Sequence, residues 1–178
     1  MTRREYLGTV GGPAALFVVL RAVFYSAGFV LLWWWLAALV RPFDDRLPFT
    51  LPVWIRPLGW ALVLAGALLA LWCISTFAAR GRGTPAPFDP PREFVAVGPY
   101  RYVRNPMYIG GFGALLGGGL VLGSPSIAGL AVLFLLLVHL LVWLYEEPAL
   151  ESRFGDPYRH YKSVVRRWLP RAPQSNAN

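Results

Sequence analysis

The chain has 178 residues, 56% of them hydrophobic and 15% charged, and a mean hydropathy of +0.48. That composition excludes an ordinary water-soluble domain, and the length suits one compact unit rather than two. The net charge of +8 gathers at the ends of apolar segments, which points to a membrane face and excludes nucleic acid as the expected partner.

Four apolar segments follow one another. The first is Ala22–Val40, with apolar residues reaching back to Ala14; it is too long for a signal peptide, and its Trp33–Trp35 run reads as an interfacial belt. The second runs from about Leu58 to Ala79, the third over Met107–Leu122 and the fourth over Ile127–Tyr145. Each is long enough, or nearly so, to cross a hydrocarbon core of about 30 Å. Only "GSPS" (123–126) joins the last two, which requires a tight helical hairpin. The glycines from Gly110 to Gly119 lack dinucleotide-loop spacing and follow no strand, so they read as helix-packing positions, as do Gly59 and Gly66. The expected fold class is therefore all-α, a polytopic membrane protein of about four transmembrane helices. The single cysteine, Cys73, offers neither an intrachain disulfide nor a multi-cysteine metal site and reads as packing.

Basic residues set the expected orientation. The N-terminus holds two, the 80–105 connection five and the tail six, whereas the 41–56 connection holds three and the 123–126 turn none. With four spans, the three rich segments share one side, expected to be cytoplasmic and, for a small protein of this kind, at a bacterial inner membrane. Arg21 reads either as the snorkelling cytoplasmic flank of the first span or as a functional charge facing a cavity in the bundle. His139 sits mid-span in the fourth, where a polar group hydrogen-bonds a neighbour or serves a function.

Chemistry-capable groups concentrate on that side. One segment is "RGRGTPAPFDPPREFVAVGPYRYVRNPMY" (80–108), whose prolines and glycines exclude a long helix before about Arg92. The other begins at Glu146–Glu147 and continues through "DPYRHYKSVVRRW", where Asp156 is the expected N-cap and Pro157 a first-turn residue. There Tyr158, Tyr161, Val165 and Trp168 share one helical face, which fits an amphipathic helix on anionic lipid. A carboxylate pair at the end of a helix opposes the dipole and needs a partner; Arg101, Arg104 or a ligand could supply it. "APQSNAN" (172–178) reads as a disordered tail.

"GPYRYVRNPMYIGG", the hairpin, "YEEPALESRFGDPYRHY" and "RRWLPR" together resemble the integral-membrane methyltransferase superfamily, which includes isoprenylcysteine carboxyl methyltransferases and phospholipid N-methyltransferases. The likeness covers about residues 80–171, a methyltransferase core behind two N-terminal transmembrane helices (1–79). It implies a cytoplasmic cap that binds S-adenosylmethionine and no metal. The cofactor contacts implied are Arg92, Glu93, Phe94, Val95, Tyr100, Asn105, Pro106, Met107, Tyr108, Glu146 and Glu147. Glu146, Glu147 and Arg104 are the candidate catalytic residues. A Glu carboxylate would meet the ribose diol or the cofactor's positive charge. Tyr100 or Tyr108 would offer a ring to the adenine, and Arg104 with Asn105 would hold the methionine carboxylate. His139 and Val142 are candidate substrate contacts, Val142 standing where the carboxyl branch has its substrate-binding arginine. That branch also carries His at the position of Asn105, and "NPMY" with "YEEP" looks more like the phospholipid branch.

The implied reaction is methyl transfer to a membrane lipid or other amphiphilic acceptor. A carboxylate or thiolate acceptor needs no base, whereas an amine must first lose a proton to Glu146, Glu147, His160 or a tyrosine. A membrane reductase using NADPH and a small four-helix transporter are the competing classes. The transporter would want an ionisable carboxylate at mid-membrane, and no span contains one.

Overall fold

The computed structural model describes residues 13–80 and 96–170, and among these every regular element is helical. The Arg21 side chain, the expected contacts Arg92, Glu93, Phe94 and Val95, and the 172–178 tail lie outside the described residues. Helix α1 covers Pro13–Val40 and starts upstream of the predicted span because its apolar run begins earlier. Short 3-10 turns at Arg41–Arg46 and Val53–Ile55 lead into α2, Arg56–Arg80. After a further 3-10 turn, Gly98–Arg101, come α3 (Pro106–Leu122) and α4 (Pro125–Leu141). A π turn, Val142–Glu146, joins α4 to α5 (Glu147–Phe154), and α6 (Asp156–Val164) follows.

The segments Ala27–Arg46, Val53–Thr76 and Pro125–Phe154 are long and apolar enough to cross a membrane, while α3 is a shorter apolar helix. Its 17 residues make roughly 25 Å at 1.5 Å per residue. The chain is thus an integral membrane protein with α3 packed between α2 and α4.

Glycine decides how closely α3 can pack. Gly59 faces Gly117 and Gly66 faces Gly110, a reciprocal pairing of antiparallel helices in which each glycine abuts the other's carbonyl. A Cβ added at Gly117 would lie 2.6 Å from the Gly59 oxygen, and one at Gly110 2.8 Å from the Gly66 oxygen. Lipid tails are as apolar as leucine, so close backbone packing of this sort is what holds such helices together.

At the hairpin, Gly123 takes a left-handed φ of 67° that ends α3. Ser124 then caps α4 by accepting a hydrogen bond from Ile127 N at 3.2 Å, with Pro125 in the first turn. Asp44 accepts from Ser126 N at 2.8 Å, pinning the α1–α2 connection to the same turn. The tight hairpin read from "GSPS" is present.

The Trp33–Trp35 run divides, because a helix turns about 100° per residue. Trp34 and Trp35 are exposed on the apolar outer surface. Trp33 instead packs edge-on against Phe134 of α4, with ring centroids 4.7 Å apart, so it belongs to the α1–α4 contact and not to a belt. Cys73 is fully buried against Tyr100, as a packing residue should be.

A Gly110→Val substitution should separate α2 from α3, lowering the melting temperature of the detergent-solubilised protein by several degrees. Gly118→Ala, where an added Cβ meets nothing within 4 Å, should cause no loss. Equal effects of the two changes in a thermal melt would dismiss the glycine pairing as the basis of α2–α3 packing.

Candidate functional site

The fourth apolar helix does not stop where the carboxylates begin. Pro148 has no N–H to offer the Leu144 carbonyl, and its ring would crowd that oxygen in a regular helix. The chain responds by widening: the Glu147 N–H reaches back five residues to the Val142 carbonyl, and the helix carries on into α5. Glu146 and Glu147 are therefore inside a continuous helix. The expectation that they end one and oppose its dipole is corrected, and their need for partners arises from burial instead.

The two carboxylates take different partners. Glu146, half-buried, accepts a short hydrogen bond from the Tyr108 hydroxyl on the first turns of α3. Glu147 is 6% exposed and receives Arg167 in a forked arrangement, Nε to Oε1 and Nη2 to Oε2, both at 2.8 Å. Arg104 Nη1 lies 3.0 Å from the same Oε1. Arg101, the other cation expected to compensate the pair, is exposed and bonded to the Tyr102 hydroxyl at 2.8 Å. Arg167 takes that place, and the Glu147 hydrogen bond holds its guanidinium pKa above the usual value. Tyr158 is buried beside this cluster, and burial followed by the Glu147 charge pushes its phenol up to about 12.

Arg167 belongs to a strap, residues 165–170, that crosses the end of the bundle. Arg104 N–H donates to the Arg166 carbonyl at 2.9 Å, and the Asn105 side-chain amide donates to the Arg167 carbonyl at 3.2 Å. Trp168 Nε1 donates to His139 Nδ1 at 3.0 Å. His139 thus joins α4 to the strap, and Val142, one turn later, is buried with Phe134 and Val138 under Trp168 and Tyr108.

Upstream, α6 starts on Gly155, whose φ is 58°, and the amides of Tyr158 and Arg159 donate to the Gly155 carbonyl. Asp156 is the first helical residue rather than the N-cap; its carboxylate binds Arg159 at 2.8 Å. The apolar face of α6 is buried on the protein itself. Tyr158, Tyr161 and Val165 pack against Ala96, Leu150 and Phe154, and the Tyr161 hydroxyl donates to the Tyr100 carbonyl at 2.6 Å. That replaces the expectation of an apolar face lying on lipid. Trp168 leaves this face because the helix ends at Val164 and Val165 is extended.

Of the expected site residues, Arg104, Asn105, Tyr108, Glu146 and Glu147 come together beneath the strap. Pro106 is buried in the first turn of α3, while Met107 and Tyr100 pack around Cys73. Arg167 was missed by sequence reasoning. Its signal was a basic pair next to a tryptophan, in a chain whose buried carboxylates needed cations. Arg104 Nε is buried with no hydrogen-bond partner among the described residues. Such a donor calls for an acceptor oxygen.

The model of the phospholipid methyltransferase family matches residues 54–157, more than half of the chain. The chain belongs to that family, and it is a membrane methyltransferase. A Haemophilus influenzae protein described as "Uncharacterized protein" is 47% identical over 64 residues, which is 35% of this chain and the whole of that protein. No solved structure matches the chain.

Glu147→Gln leaves two guanidiniums with a neutral partner in a largely buried site, a change that typically costs about 3–5 kcal/mol. The variant should melt at lower temperature and release the strap, seen as faster proteolysis after Lys162, Arg166 or Arg167. Proteolysis at the wild-type rate would mean that the ion pairs do not hold the strap.

Proposed function

We propose that this family member transfers a methyl group from S-adenosylmethionine to the amine of a membrane lipid headgroup, at the end of the bundle beneath the strap. The observation that carries the reading is the divided carboxylate pair. One member is neutralised by Arg104 and Arg167, while the other accepts the Tyr108 hydroxyl instead of a cation. Basic residues cluster at this end, which we place on the cytoplasmic side of a bacterial inner membrane, with both termini there.

The residues present fit the cofactor. Arg104, with a buried N–H still to satisfy, is suited to its methionine carboxylate. Tyr108 supplies a ring, and Glu146 an acceptor for hydroxyl hydrogens. Arg92 to Val95 remain proposed contacts, as do Pro106, Met107 and Glu147. Tyr100 would act through its packing, since its ring is buried against Cys73. S-adenosylmethionine, when bound, supplies an electrophilic methyl on a sulfonium. Glu146 would take the proton that a lipid ammonium must lose before its nitrogen can attack. Arg104 and Asn105, held to the strap, would keep the site in register and out of water. His139 and Val142 would shape the acceptor side from α4.

In detergent, S-adenosylmethionine or its demethylated product should raise the melting temperature, with NADPH inert. Stabilisation by NADPH and by neither methyl compound would replace this reading with the reductase one. Glu146→Ala should lose the cofactor shift while still melting cooperatively, and a full shift in that variant removes Glu146 from the site. With labelled cofactor and extracted lipids, Glu146→Gln should slow methyl incorporation by about 100-fold if it acts as the base.

A further inference from the structure

A cavity of about 590 Å³ opens beside Glu147 and is lined by neither Glu146 nor Tyr108. Its wall carries four cations, Arg104, Arg159, Lys162 and Arg167, against two carboxylates, Glu147 and Glu151. Each carboxylate is already shared. Glu147 holds Arg104 and Arg167, while Glu151 binds Lys162 at 2.7 Å and has Arg159 at 3.9 Å. Arg159 also pairs with Asp156, a highly exposed carboxylate outside the wall. Guanidinium and ammonium groups have more N–H donors than these contacts use, and no further acid in the wall takes them up.

The rest of the lining says where an anion would come from. Trp143 belongs to it, and this residue is 55% exposed on the last membrane-crossing helix. Leu140 and Leu144 on the same helix are exposed as well, an apolar surface suited to acyl chains. A tryptophan at the end of a span marks headgroup depth. The cavity therefore combines surplus positive charge with a wall continuous with lipid.

We propose that this cavity is a binding site for the phosphate of a membrane phospholipid, with Arg159 and Lys162 at its mouth and the acyl chains along the Trp143 flank of α4. That the bound lipid is the methyl acceptor rests on the methyltransferase reading above; the phosphate site itself does not.

The test uses the full chain in a non-ionic detergent, titrated with short-chain phosphatidylglycerol, with the matching diacylglycerol, and with inorganic phosphate. The phospholipid should stabilise the protein at concentrations where the other two do not. Lys162→Gln and Glu151→Gln break the same ion pair, so a purely structural role moves both in one direction. A phosphate site moves them apart, with about fivefold weaker lipid binding for Lys162→Gln and about fivefold tighter binding for Glu151→Gln. Parallel changes in the two variants, or no lipid response at all, overturn the site. An equal response to inorganic phosphate overturns the lipid assignment. S-adenosylmethionine is titrated into the same samples. A retained cofactor shift without lipid discrimination sinks the phosphate site alone, and a missing cofactor shift with the lipid response intact sinks methyl transfer alone.

Discussion

A carboxylate buried at the end of an apolar bundle is tolerated only if positive charge arrives with it. For Glu147 that charge comes from two places far apart in sequence, Arg104 just before α3 and Arg167 just before the end of the described chain. One buried acid thereby fixes the entry to α3, the end of the fourth span and the strap in a single arrangement. The backbone bond from Arg104 to Arg166 and the side-chain bond from Asn105 to Arg167 reinforce it. Remove the acid and each of these contacts loses the reason for its register. The Arg167 fork matters here, since a lysine could offer only a point charge in place of two parallel bonds.

The glycine contact between α2 and α3 serves the same end of the molecule from a distance. A short helix with close backbone neighbours sits between its partners and does not reach as far along the bundle as the continuous helix Pro125–Phe154 does. The first turns of α3 therefore bring Asn105 and Tyr108 to the level of the π turn. Gly98 shows the same economy of space. With φ at 59°, it lies so close to Thr76 that a Cβ would come within 2.6 Å of the hydroxyl, which seats the 3-10 turn carrying Tyr100 against the end of α2. Tyr161 then bonds to the Tyr100 carbonyl, so α6 is fixed to that turn as well.

Much of this was legible in the sequence where one physical rule dominates. Span length and apolarity gave the membrane helices, Gly-Ser-Pro-Ser gave the hairpin, and paired small residues gave the close helix contact. What stayed hidden depends on two or more terms acting together. Pro148 signals a disturbance four residues upstream, but whether a helix breaks, kinks or widens depends on what its new direction can bury. Here widening satisfies Glu146 and Glu147 at once. The face containing Tyr158 and Tyr161 is amphipathic whether its partner is lipid or protein, so periodicity could not choose between them. Trp168 fitted that face by spacing and left it because the helix ended first. Arg167 was invisible for a different reason: ion-pair partners 20 residues apart carry no periodic signature.

The π turn gives the adjacent acids separate chemistry. In a regular helix, neighbours already point about 100° apart, and both would still sample the same end of the bundle. The extra residue in the turn leaves Glu146 directed to α3 and Glu147 to the strap. Their surroundings then differ in kind: a phenol that donates one hydrogen bond, against two permanent cations. An acid locked to two guanidiniums is committed to structure, because taking up a proton would strand both charges. An acid held by a hydroxyl can exchange that bond for one to a ligand, and no cation depends on its charge. Under the proposed function, Glu147 would hold the shape of the site while Glu146 handled the proton. In this chain the pair sits at the π turn that precedes Pro148, which has no N–H.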